Sequence, residues 1–399
     1  MSATYRYIHR EVEEWMKVMG PLCPVMSIMG PRQAGKTALI RNTFPHLKYF
    51  DFEDIPTREM VQKDITGFVR AHIEGAIFDE FQYIPEITQV MKVVSDELIW
   101  EAHRRGEVSV PVRFLLTGSH NYLYNDKIIE TMVGRTSIIE MMSMTSGELM
   151  GNDVFDLMFK GGYPILYVNG ETPETFFPKY VNTYLQREIR RLHNIGDLKQ
   201  FRFFMGLCAQ NVGNILNYET MTTTIGIKMP TLMKWLSLLE ATYIIFTAPP
   251  YHENYGKVIS HRPKLYFYDT GLAGYLMGIK SKSMIEKTPD FKGKLFENLV
   301  MSDIKKKLLS KNKMLDETYF WNVTGNQGYE IDLLLGNAYD LKAIEIKSSD
   351  KYDPWWINHI SKFDKLENAR KYVIYTGPTQ DVEGGKAVNF RDVGLILES

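Results

Sequence analysis

An α/β fold is predicted for this chain, and three features predict it. Short apolar runs alternate with helical stretches through the first 150 residues, as in a largely parallel sheet covered by helices. A glycine-rich octapeptide, GPRQAGKT at residues 30–37, lies between one such run and a helix. Near the C-terminus two strands alternate carboxylates with aliphatic side chains, so each has one polar and one apolar face.

With 399 residues the chain can build two or three domains, each with its own core. Its 44% hydrophobic and 24% charged residues are those of a folded globular protein, not of a disordered or fibrous one. No uncharged apolar run reaches the roughly 18 residues that a membrane span needs, so no membrane partner is expected. The first residues, MSATYRYIHREVEEW, are charged and show no signal-peptide core. Cys23 and Cys208 are too few for a disulfide framework or a zinc site, which points to a reducing, cytoplasmic location. Net charge is −1, but it is uneven: −6 over residues 1–180, +5 over 181–280 and zero over 281–399. The basic middle weakly favours an anionic partner.

Each element can be taken in chain order. The run CPVMSIMG reads as a buried strand and KTALIRNTF as a helix, so the octapeptide matches GxxxxGK[ST] in the strand–loop–helix context that phosphate binding requires. Small residues let backbone amides approach phosphates, and the helix N-terminus adds a favourable dipole. Gly30, Pro31, Arg32, Gln33, Ala34, Gly35, Lys36, Thr37 and Ala38 form the expected ATP cradle. Within it Lys36 reaches the β- and γ-phosphates, and the Thr37 hydroxyl ligates Mg2+. The strand GAIFDE ends on Asp79, a second Mg2+ ligand, and on Glu80, the base that orients or deprotonates the attacking water. A third strand within VPVRFLLTGSHNYL places Ser119, or alternatively Asn121, to sense the γ-phosphate. Arg135 in TMVGRTSIIE is an arginine finger, an internal sensor or an ion-pair residue.

Residues 151–200 read as helical, with GGYP (residues 161–164) as a turn and YVNTYLQREIRRLHNIGD as a basic amphipathic helix. A helix, the short polar stretch TTTIGI and the helix MPTLMKWLSLLEAT then follow with helix–turn–helix cadence. Gly226 falls in the turn and residues 231–239 on the second helix. The segment TYIIFTAPPY…KLYFYDTGLAGYL reads as a wing hairpin. The second helix offers few bases, Lys228 and Lys234, so a lid or protein contact is as natural a reading as DNA contact.

In the last third, GYEIDLLL sets Glu330 and Asp332 against Ile331 and Leu333. AIEIKSS puts Glu345 and Lys347 on one face, and the helix GKLFENLVMSDIKKKL carries Glu297. An aspartate followed by Glu-x-Lys on the next strand is a nuclease constellation. Glu297, Asp332 and Glu345 would hold metal, while Lys347 would neutralise developing charge or tune the nucleophile. The alternative is a solvated sheet face with a cross-strand ion pair.

The chain resembles a family of prokaryotic AAA-like ATPases. There a P-loop domain precedes a winged helix and a C-terminal domain of restriction-endonuclease type. The resemblance rests on GPRQAGKT, IFDEFQYIPE, LLTGSHNYL, VGR, GGYP, NVGNILNY, WLSLLEATYIIF, PKLYFYDTGL, GKLFENLV, EIDLLL and IEIKSS in that order. It implies domains at 1–150 (ATPase), 151–285 (helical segment plus winged helix) and 286–399 (restriction-endonuclease-like). It also implies ATP and Mg2+ as cofactors and metal at Glu297, Asp332 and Glu345 beside Lys347. Tyr329 departs from the small polar residue usual there. DNA, and a protein partner or second copy, are the expected partners. The rival expectation is a regulatory ATP switch whose C-terminal domain binds without cleaving.

Overall fold

The computed structural model describes residues 7–119, 136–184, 197–251, 262–311, 318–323, 329–337, 340–361 and 369–398. The chain divides into two compact units. The first takes in Met1–Met144, Ala241–Tyr243 and Leu308–Lys313; the second takes in Thr145–Glu240, Ile244–Lys307 and Met314–Ser399.

The first unit is the expected parallel sheet. Its strands are β1 (Val25–Met29), β2 (Lys48–Asp51), β3 (Ala76–Asp79), β4 (Phe114–Gly118) and β5 (Thr136–Glu140), in the order β2-β3-β4-β1-β5. Every neighbouring pair is parallel. The helices are α1 (Val12–Met19), α2 (Lys36–Thr43), α3 (Ile55–Lys63), α4 (Ile65–Ala71) and α5 (Ile87–Arg104). Strand alternation sorts the core into two layers. Met26 and Ile28 pack with Val12, Met16, Leu39 and Ile40 of α1 and α2. Val25 and Met29 face the other way, toward Phe78, Phe114, Met91 and Val94, with α3, α4 and α5 over them. Coverage on both faces explains why β1 is apolar nearly throughout rather than alternating.

The second unit begins with α6 (Val154–Lys160), α7 (Ile165–Val168) and α8 (Pro173–Tyr184). Then come α9 (Leu198–Gln210), α10 (Tyr218–Ile225) and α11 (Met229–Ala241), followed by β6 (Ile245–Ala248) and β7 (Lys264–Phe267), which pair antiparallel. Gly226 does sit in the turn, capping α10 with φ 77. The preceding TTTI, expected as a polar connector, is instead the end of α10. Asn217 caps that helix by accepting from the Thr220 N–H, and the Thr222 and Thr223 hydroxyls donate to the Glu219 carbonyl. The GGYP and DTGL motifs interlock structurally: Asp269 accepts from the Gly162 N–H at 2.8 Å and caps α12 (Thr270–Leu276) through the Leu272 N–H at 3.0 Å.

Next come α13 (Lys282–Lys287) and α14 (Pro289–Ser310). A six-stranded mixed sheet follows: β8 (Thr318–Val323), β9 (Tyr329–Asn337), β10 (Asp340–Lys347), β11 (Arg370–Tyr375), β12 (Gln380–Val382) and β13 (Gly385–Asn389). Its order is β12-β13-β11-β10-β9-β8, with β10, β11 and β13 mutually parallel and the remaining pairs antiparallel. α15 (Trp355–Ile360) packs Ile357 and Ile360 on Ala343, Val373 and Ala387, and α16 (Gly394–Glu398) closes the chain. Asn121, Arg135, the centre of the basic helix at 185–196 and the wing tip at 252–261 lie outside the described residues.

Candidate functional site

The octapeptide forms a loop that leaves β1 at Met29 and enters α2 at Lys36. Gly30 has φ +149, and a Cβ there would lie 1.9 Å from the Met141 carbonyl oxygen, so only glycine fits. Gly35 caps α2 with φ 96, and Gln33 takes a positive φ of 62. Lys36, 5% exposed, folds back and donates to the Gly30 and Pro31 carbonyls, each at 2.8 Å. Arg10, which no sequence motif marks, is buried and braces the loop through the Ala34 and Met142 carbonyls, both at 2.9 Å.

Asp79 lies at the end of β3, where α2, β2 and β4 bring three hydroxyls onto it. The Thr37 hydroxyl donates to Oδ2 at 2.7 Å and the Tyr49 hydroxyl to the same oxygen at 2.6 Å. The Thr117 hydroxyl donates to Oδ1 and itself accepts from the Glu80 N–H at 3.2 Å. Burial, reinforced by Asp79, pushes the Tyr49 phenol well above its ordinary value, so it stays a donor. Glu80 has φ 53, a left-handed conformation uncommon outside glycine. The Gln82 amide donates to Glu80 and, at 3.1 Å, to Ser119 Oγ. Hydrogen bonds thus bring Thr37, Asp79, Glu80 and Ser119 together, while Lys36, next to Thr37 in the chain, holds the loop carbonyls. Tyr49, Gln82 and Thr117 complete the set; a tyrosine within KYFD and the threonine of TGS are faint signals at best. The hydroxyl–carboxylate pair of Thr37 and Asp79 is a hard-oxygen donor set that fits Mg2+, and the glycine cradle fits a polyphosphate.

The second cluster lies on β9, β10, β7 and α14. Lys347 Nζ is 2.6 Å from Glu345 Oε2 and 3.5 Å from Asp332 Oδ2, and Asp332 also accepts from the Ile346 N–H at 2.8 Å. His359 Nδ1 lies 3.3 Å from Glu345 Oε1. Glu297 accepts from the Tyr266 hydroxyl at 2.7 Å and pairs with Lys264 Nζ at 3.5 Å; Lys264 also pairs with Glu330. Burial, then the Asp332 charge, raises the Glu345 carboxyl to about 8, and burial raises Glu297 to about 7. Asp332 is also desolvated, yet Lys347 and Lys264 outweigh that and hold it below the usual range.

Asp332, Glu345 and Lys347 therefore meet as the sequence predicts, and Glu297 joins them through Lys264. Lys264, a lone lysine opening the apolar strand KLYF, and His359 were missed. Tyr329 opens β9, and its side chain lies outside the described positions. Among the described residues no set of three or more His, Cys, Asp or Glu side chains is spaced to hold a metal ion. A divalent cation takes about six oxygen ligands, and these carboxylates already have ammonium, hydroxyl and amide donors, so it does not fit them as arranged.

Residues 23–150 match the family described as AAA domain. Residues 151–283 and 292–392 match two domains of unknown function, DUF8612 and DUF4143. The N-terminal unit thus has the α/β fold of a P-loop domain, and its residues 23–150 are similar to the AAA domain family. The uncharacterized proteins Rv2008c of Mycobacterium tuberculosis and Mb2031c of Mycobacterium bovis are each 25% identical over 362 residues, covering 89% of this chain and 77% of theirs. The solved Walker-type ATPase PABY2304 of Pyrococcus abyssi is 14% identical and covers 68% of this chain and 96% of its own, with a TM-score of 0.46. Among the described residues no helix is long and apolar enough to cross a membrane.

Proposed function

We propose that this protein is a Mg2+-dependent ATPase that acts on DNA, its nucleotide state coupled to a winged helix and a C-terminal domain of nuclease-like fold. The observation that carries the ATPase reading is the convergence of Thr37 on Asp79, with Glu80 held beside them by Thr117 and Gln82. The backbone N–H groups of residues 30–38, Pro31 excepted, bind the phosphates, and Lys36 exchanges its two loop carbonyls for phosphate oxygens. Thr37 and Asp79 hold Mg2+, which when bound neutralises charge on the transferring phosphoryl group. Glu80 orients the attacking water and takes its proton, while Ser119 donates toward the γ-phosphate. Arg135 would act from a neighbouring copy if the site is shared between subunits.

DNA is supported by the order of α9, α10, α11 and the β6–β7 hairpin, which is that of a winged helix, and by the +5 charge over residues 181–280. One observation favours a second reading, a regulatory switch that binds without cleaving: lysines already neutralise the C-terminal carboxylates. ATP binding and turnover, measured separately, test the first reading. Lys36→Ala should abolish tight binding, whereas Glu80→Gln should keep it and lose about 10²- to 10⁴-fold in turnover. Unchanged hydrolysis in Glu80→Gln removes Glu80 from the role of base.

A further inference from the structure

The C-terminal carboxylates surround a positive charge that the chain itself supplies. Lys264 begins β7, and its backbone is held from two sides. It pairs with Ala248 across the hairpin and bridges Ile215 on the other flank. The Gly213 N–H donates to the Leu265 carbonyl and the Leu216 N–H to the Pro263 carbonyl, both at 2.9 Å. Glu297 is fixed to the same strand through its neighbour. Buried Asn298 accepts from the Phe267 N–H at 2.7 Å and donates to the Phe267 carbonyl at 3.1 Å, which sets the register of α14 against β7. Gly213, at φ +74, leaves room for this carboxylate, since a Cβ there would come within 3.2 Å of Glu297 Oε2.

The Lys264 side chain is only 3% exposed, and its ammonium ends between Glu297 and Glu330, with its Nζ 5.5 Å from the centre of the Phe320 ring. A lysine is almost never buried this far without paired carboxylates, and removing one partner of such a pair is strongly destabilising. Lys264 and Lys347 together bring two positive charges to Glu297, Glu330, Asp332 and Glu345, the same charge as one divalent cation.

We propose that Lys264, together with Lys347, stands in for the divalent cation of this carboxylate cluster, so that the C-terminal sheet is held by a built-in counter-charge and is not a metal-dependent nuclease. This goes beyond the ATPase reading and does not depend on it. Neutralising Lys264 leaves Glu297 and Glu330 without their cation, and a divalent metal becomes the group that best replaces it.

Mn2+ binding followed by electron paramagnetic resonance tests this on the full chain carrying Asp79→Ala, without nucleotide, so that the P-loop contributes no metal. That chain should bind no Mn2+ at the cluster. Adding Lys264→Met should create a site for one Mn2+ per chain, and adding Asp332→Asn should abolish it. Mn2+ bound without the Lys264 change and lost on Asp332→Asn overturns the proposal, as does a folded Lys264→Met chain that binds none. Should Lys264→Met fail to fold, acetic anhydride labelling of the wild-type chain, read by mass spectrometry, decides instead. Lys264 should stay protected with and without Mn2+; labelling that rises with Mn2+ means metal displaces the lysine and overturns it.

Discussion

Two conformationally constrained residues sit at the proposed ATP site. Glu80 holds a left-handed backbone and Gly30 a conformation in which any Cβ would strike the Met141 carbonyl at 1.9 Å. The two strains have different consequences. At Glu80 the proposed role needs the side chain, so the strain is retained; at Gly30 it needs the absence of one. Gly30→Ala should therefore push the loop off β5's exit and lose ATP binding, while the first unit keeps its melting cooperativity. Nucleotide binding and far-ultraviolet melts on the same sample check this, and tight ATP binding by the folded variant would contradict it. Lys36, Thr37, Asp79 and Glu80 were legible because their chemistry is written as fixed local spacing. Tyr49, Gln82 and Thr117 were not. Tyr49 and Thr117 reach Asp79 only through the parallel register that sets Asp51 beside Asp79 and Phe78 beside Leu116, and register is not a local property.

At the scale of elements, strand alternation was the readable signal and its environment was the hidden part. Period two correctly put Asp332 and Glu345 with Lys347, yet it could not say that Glu345 is 3% exposed. Nor could it show that β7 and α14 bring Lys264 and Glu297 to the same cluster, because those contacts are long-range in sequence. The same pattern matching misread TTTI, since threonines favour strands and connectors unless their hydroxyls bond back to a helical carbonyl, as two do here. Burial of β10 has a pH consequence. The Glu345 carboxyl is raised from 4.5 in the unfolded chain to about 8 when folded, first by burial and then by Asp332. Between those values the native state holds a proton that the unfolded state has released, so this group's contribution to stability falls as pH rises through the window and then levels off. Glu345→Gln keeps the shape without the titration. Its stability relative to wild type, from urea unfolding at several pH values, should grow as pH rises from about 4.5 toward 8. A pH-independent difference would mean that Glu345 titrates alike in both states.

For the whole molecule, the α/β class and the two sheets were legible from composition and alternation, whereas the grouping of the middle segment with the C-terminal sheet in one compact unit was not. That grouping depends on β7, whose partners are a loop at residues 212–216, β6 and α14, all distant in sequence from one another. It sharpens what coupling must mean. ATP that binds only the native first unit stabilises that unit by mass action, by about 2.7 kcal/mol at a hundred times its Kd. The second unit has its own sheet and core, so ATP changes its stability only if nucleotide state alters what it contacts or how it is ordered. Calorimetry on Glu80→Gln, which should hold ATP and Mg2+ without turnover, separates the two effects. The transition of the first unit must rise with ATP, and Lys36→Ala must remove that rise. A transition of the second unit that moves with ATP and stops moving in Lys36→Ala is the expected result for an ATP-driven effector. If that second transition stays fixed while the first climbs, ATP stabilises its own unit and nothing more, and the coupled reading fails although the ATPase reading stands.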